Sequence, residues 1–117
     1  MNITPSPRYG KGRVRYHADE LRARLLKCSR VDEQSPLLRG VHCRVWLKGK
    51  TTFGHGQIWD GAKLDYAHRL ALELLGGGVT QWALHHCDRP ACIEPKHLYD
   101  GTPVDNARDV KVHGRRR

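Results

Sequence analysis

Residues 85–106 concentrate the side chains that can hold a cation or move a proton. Cys87, Cys92 and His97 recur at equal intervals around Pro90 and Pro95, with His85 and His86 just before them and Asn106 on the segment just after. A short loop that folds back on itself can aim three such donors at one point, which is what a tetrahedral zinc site requires.

The composition bounds what such a site could serve. The chain has 117 residues, of which 38% are hydrophobic, so the core is modest and a metal staple would add stability that packing alone does not supply. A formal net charge of +9, from 21 Lys and Arg against 12 Asp and Glu, favours a polyanionic partner, above all nucleic acid. Four cysteines and eight histidines without a secretory signal point to metal binding rather than disulfides. The first residues, Met1 to Arg8, have no apolar core, and no run approaches membrane-spanning length, so the sequence reads as a cytoplasmic protein of a bacterial or phage-infected host, not a membrane protein.

The pattern H-x-C-x4-C-x4-H-L over His85 to Leu98, followed by Asp105-Asn106, resembles the ββα-metal nucleases, also called HNH or His-Me finger endonucleases. The likeness is greatest to their His-Cys box homing and phage-type HNH branches. It implies that His85 is the general base, that Cys87, Cys92 and His97 hold a structural Zn2+, and that Asn106 binds a catalytic Mg2+. Cys43-Arg44-Val45-Trp46 is similar to the family's C-x-x-W strand, which makes Cys43 the fourth zinc ligand, with Cys28 as its rival. Leu84 stands where many HNH sites carry a metal ligand, a departure that leaves the asparagine as the main protein ligand. His86 is the alternative base. The implied reaction is hydrolysis of a DNA phosphodiester to 5′-phosphate and 3′-hydroxyl ends, with a neutral imidazole activating water and a hard cation offsetting phosphoryl charge.

The elements that must position these groups follow from periodicity and turn chemistry. Residues 1–17 form a basic, turn-rich arm, read equally as a DNA-contacting arm and as a solvated leader, and residues 18–117 form the domain. Leu21, Leu25 and Cys28 predict a short amphipathic helix from Asp19 to about Arg30, with Cys28 as a small buried hydrophobe. Residues 31–42 read as a loop, Cys43 to Leu47 as a strand, and Thr51 to Trp59 as a β-rich stretch turning at Asp60-Gly61 into residues 62–65. A helix from Tyr66 to Leu75 stops at Gly76-Gly77-Gly78; Ala67-His68-Arg69-Leu70 is similar to a segment of the phage-type branch, and His68 and Arg69 read as a polar flank packing the helix or, by that resemblance, as groups near the scissile phosphate. Val79 to Leu84 is the strand into the site. Thr102-Pro103-Val104-Asp105 reads as the cap of a helix that carries Asn106 towards Val112. The expected fold class is α+β, a small zinc-stapled ββα-metal domain with an antiparallel sheet and flanking short helices.

Arg44, Lys48, Lys50, Thr51, Thr52, His55, Gln57 and Lys63 stud the 43–65 stretch, which could enter a major groove as a β-ribbon. A solvated strand face is the other reading; the resemblance favours double-stranded DNA. The stacking aromatics of a single-strand binder are not assigned to that face. The leading hypothesis is a metal-dependent DNA endonuclease, monomer or homodimer, and the alternative is a zinc-stabilised DNA-binding module without catalysis.

Overall fold

A computed structural model describes residues 14–102 and Val104. The order is α1 (Ala18–Lys27), β1 (Ser29–Asp32), β2 (Cys43–Trp46), β3 (Gln57–Trp59), β4 (Leu64–Tyr66), α2 (Ala67–Leu75), β5 (Trp82–His85), a 3₁₀ turn (Pro95–His97) and β6 (Leu98–Gly101). Among the described residues this is a small α+β domain in which α1 and α2 accompany strands paired antiparallel throughout. The expected single sheet is instead three two-stranded ladders, β1–β2, β3–β4 and β5–β6. Strands of three or four residues bury too little surface to extend a sheet, so the helices and loops complete the packing.

Both helices present one apolar stripe. Leu21 and Leu25, four apart in α1, are fully buried, as are Ala67, Leu70 and Ala71 of α2. They meet Trp46, Ile58, Ala83, Ile93 and Leu98 in a single core. Arg22 Nε donates to the Leu74 carbonyl at 2.9 Å, placing a cation at the α2 C-terminus where it is favoured. The α2 helix stops where the glycines predict: the Gly76 and Gly78 N–H groups return to the Ala71 and Leu72 carbonyls.

Several boundaries move. Helix α1 is capped by His17, whose Nδ1 accepts from the Asp19 N–H, rather than by Asp19, and it ends at Lys27 because Ser29–Asp32 pairs with Trp46–Cys43. A strand therefore occupies the start of the expected loop. The far end of that loop is a two-residue hairpin, with Leu38 and Val41 exchanging hydrogen bonds and Arg39 and Gly40 at φ 56° and 82°. At the end of the expected arm, Tyr16 N–H donates to the Asp60 carbonyl at 2.7 Å and Arg15 pairs with Glu73 at 2.9 Å, so residues 14–17 dock on the body. Residues 51–55 turn instead of continuing a strand. Gly56 lies so close to Trp46 that a Cβ would stand 2.6 Å from the indole Cδ1, which ties the β2 side of the domain to the segment carrying His55.

The ladder partner of β5 also holds the two residues that lead into it. The Asp100 carboxylate accepts from the Thr80 N–H, the Thr80 hydroxyl and the Gln81 N–H. The register pairs His85 with Leu98, one residue after the 3₁₀ turn. Of the expected helix from Thr102, only Thr102 and Val104 are among the described residues, Val104 in helical conformation; the rest, with Asn106, lies outside them.

Candidate functional site

The structure brings Cys43, Cys87, Cys92 and His97 together, with their donor atoms all within 4.8 Å of one another. Cys43 opens β2, Cys87 and Cys92 flank a turn, and His97 ends the 3₁₀ segment. The Ile93 N–H donates to the Arg44 carbonyl at 2.7 Å and the Trp46 N–H to the Ala91 carbonyl at 2.8 Å, so the Cys92 segment zips onto β2 beside Cys43. Cys92 Sγ and His97 Nδ1 stand 3.6 Å apart. Zinc–sulfur bonds of roughly 2.3 Å in a tetrahedron set donor separations near 3.8 Å, so the cluster fits Zn2+. All four cysteines are free of disulfides, and Cys28 packs against the core outside the cluster.

The hairpin at Leu38–Val41 selects the ligating nitrogen of His97. Its Nε2 lies 2.8 Å from the Leu38 carbonyl and 2.9 Å from the Val41 carbonyl. Two acceptors on one ring nitrogen require it to carry the proton. That leaves the Nδ1 lone pair for a metal, the second-layer arrangement that fixes tautomer and ring orientation.

The thiols are not equivalent. The Cys92 thiol donates to Cys87 and holds its pKa down to about 5, helped by the Arg89 backbone N–H. Cys43 is raised by burial and by the Cys87 charge, and Cys92 is raised because it is the donor to Cys87 and is buried. Without a cation one thiolate forms readily and suppresses the others; a divalent ion supplies the charge that lets all three ionise. Arg89 bonds Cys43 and reaches Asp32 at 2.6 Å, linking this electropositive edge to β1.

A second constellation gathers around the end of β5. His85 is 1% exposed, and its Nε2 is 2.8 Å from the carbonyl of Cys92. The hydrogen bond puts the proton on Nε2 and leaves Nδ1 as the basic nitrogen. The His85 ring lies against His68, with centroids 4.6 Å apart, and His55 lies 5.4 Å from His68 and 6.2 Å from His85. His68 is held by the Ala83 carbonyl at 3.0 Å. These rings back a cleft of about 510 Å3 lined by His55, Tyr66, His68, Arg69, Gln81 and Trp82 with the Ala83–Leu84 segment. His85 itself sits behind that lining. His86 points the other way and stacks on Tyr99 at 4.3 Å.

The remaining expected residues disperse. Asn106 lies outside the described residues. Arg44 reaches the Ser29 hydroxyl at 3.1 Å from β2, whereas Gln57 belongs to the separate β3–β4 ladder, so the 43–65 stretch is not one ribbon. Lys48, Lys50 and Thr52 are exposed on the connection between those ladders, Lys63 is exposed at the β3–β4 turn, and His55 faces the cleft. Sequence reasoning did not find Tyr66, Gln81 and Trp82 as neighbours of the histidines. It also missed the aromatics at the surface: Tyr66 and Trp82 are 47% and 45% exposed. The signal that was present is an aromatic two residues before His68 and another three residues before His85, Tyr66 and Trp82.

The chain is similar to two proteins of Escherichia phage T7. It is 33% identical to Protein 2.8 over 98 residues, covering 82% of this chain and 63% of that protein. It is 39% identical to Protein 7.7 over 75 residues, covering 62% of this chain and 58% of that protein. The chain thus spans less than two thirds of the length of either. No family model matches the chain, and no solved structure matches it. Among the described residues, no helix is long and apolar enough to cross a membrane.

Proposed function

We propose that the chain is a metal-dependent endonuclease of the HNH, ββα-metal type, acting on double-stranded DNA in a phage-infected cell. The observation that carries this reading is the 2.8 Å hydrogen bond between His85 Nε2 and the Cys92 carbonyl. A general base must present a lone pair of known direction, and this contact protonates one ring nitrogen so that the other, Nδ1, takes a proton from water. Because the acceptor belongs to a residue of the Cys3His cluster, the zinc-binding loop aims the base as well as stapling the fold. In this reading the β5–loop–β6 hairpin would be the two strands of a ββα-metal unit, and the segment from Thr102 its helix.

In this reading His85 activates the attacking water and Arg69, at the cleft, adds positive charge near the phosphate. A hard cation at Asn106 would supply charge for the phosphoryl oxygens and the departing 3′ oxygen. With a net charge of +9, DNA binding depends steeply on salt. A monomer nicks one strand, and a homodimer cuts both.

The second reading is a zinc-stapled DNA-binding module, and the 1% exposure of His85 favours it, because a buried, carbonyl-bonded histidine also serves packing alone. Supercoiled plasmid incubated with the zinc-loaded protein separates the two. Nicked or linear product that requires added Mg2+ supports the nuclease; a protein that shifts plasmid mobility yet leaves it supercoiled across Mg2+ and Mn2+ supports the module.

A further inference from the structure

Two exposed aromatic rings flank the cleft, and they arrive from different elements. Tyr66 closes β4 and Trp82 opens β5, where it pairs with Gly101, a residue with no side chain to cover the indole. Among the residues lining the cleft there is no carboxylate, while Arg69 carries a full positive charge. Arg69 is held in place by its 2.6 Å hydrogen bond to the Gln81 carbonyl. The Gln81 N–H is held in turn by Asp100, so the backbone at this position is pinned on both sides. The Gln81 side-chain amide makes no hydrogen bond among the described residues and is exposed beside Trp82. The volume, about 510 Å3, lies within the roughly 300–1,000 Å3 range of small-ligand sites.

These parts are those of a site for one unstacked nucleotide. A π-face binds a base of any identity, a guanidinium binds its phosphate, and a side-chain amide offers a donor and an acceptor to the base edge. The flat walls of a duplex cannot use them, because a paired base keeps both faces in the stack. We propose that the cleft takes an unpaired DNA base, stacked on Trp82 with Tyr66 at the opposite rim and its phosphate on Arg69. Within double-stranded DNA the preferred target is then an unpaired or distorted stretch, such as a bulge or a single-stranded gap, rather than regular helix. As the substrate class of the nuclease this rests on the function proposed above, but the binding site itself does not require catalysis.

The test uses zinc-loaded full-length chain without Mg2+, so that nothing is cut, and follows anisotropy of labelled oligonucleotides of equal length: single-stranded DNA, the matched duplex, a duplex with a one-base bulge, and single-stranded RNA. The native protein should bind the single strand and the bulge at least about tenfold more tightly than the matched duplex. Trp82→Ala should remove most of that preference, a loss of roughly 5- to 100-fold on the single strand, as expected for one stacked base. Trp82→Phe should retain most of it, and a thermal melt equal to that of the native protein excludes unfolding. Equal binding to bulge and matched duplex, or a preference untouched in Trp82→Ala, overturns the proposal. Tighter binding of the RNA strand than the DNA strand overturns DNA as the partner. Adding Mg2+ to the same complexes reads the other claim separately: intact DNA with the preference present refutes the nuclease and leaves the base site standing.

Discussion

The Cys3His cluster and the histidine cleft share a loop and differ in almost every physical respect. The cluster is closed: four donors converge, and the fourth, His97, is fixed from outside by two carbonyls of the Leu38–Val41 hairpin. The cleft is open: two imidazoles from different segments, His55 and His68, line it with His85 behind them, and exposed Tyr66 and Trp82 stand at its rim. A site with four protein ligands leaves no position for a substrate, whereas a cleft with basic nitrogens and a guanidinium invites one. In the proposed function the cysteines hold and the histidines act, and Cys92 bridges the two regions through its thiol on one side and its carbonyl on the other.

Breaking the closed region should have the largest effect. Cys92→Ser removes one of four donors from a structural zinc site, whose metal binding typically contributes on the order of 10 kcal/mol to small zinc domains, so the protein should fail to fold cooperatively. Circular dichroism melts with zinc stoichiometry by mass spectrometry check this, and a variant that melts like the native protein removes zinc from the account. A milder break leaves all four donors in place. Gly40 has φ 82° and nothing within 4 Å of an added Cβ, so Gly40→Val introduces backbone strain with open space at its Cβ. It should cost about 1–3 kcal/mol and loosen the carbonyl pair on His97, weakening zinc by roughly 10-fold or more in a chelator competition.

The smallest expected effect sharpens the comparison at its edge. Arg89 bonds Asp32 and holds its carboxyl below the usual range, so the pair stabilises the native state above the ordinary carboxylate pKa of about 4 and the contribution fades as pH falls below it. Asp32→Asn should therefore melt slightly earlier than the native protein at neutral pH, and the gap should narrow in acid; denaturant melts of both proteins across pH 3 to 7 follow it. A gap that widens in acid would assign the ion pair the wrong role.

How much of this was legible in the sequence depends on how local each feature is. Cys87, Cys92 and His97 lie within one loop, so their spacing alone pointed to a shared metal, and Cys43 was reached through the resemblance of Cys43-Arg44-Val45-Trp46 to a family strand. The hairpin that orients His97 was hidden, because its first central residue is Arg39 at positive φ, a conformation that Gly or Asn usually announces. The cleft was hidden for a different reason. His55, His68 and His85 meet only after β3, α2 and β5 have folded around the core, and no local period reports that. The stretch from Arg44 to Lys63 looked like one ribbon because its β-rich segments follow one another, yet β2 finds its partner upstream in β1.

The most direct test is plasmid cleavage by His85→Gln beside the native protein, at matched zinc content and with Mg2+ added. Glutamine keeps a side-chain N–H for the Cys92 carbonyl, so the fold and its zinc should survive, while the basic nitrogen is lost. The account predicts nicking by the native protein and a fall of about 100- to 10,000-fold in the variant, the range a general base contributes. Cleavage at the native rate by a folded, zinc-loaded His85→Gln would contradict it.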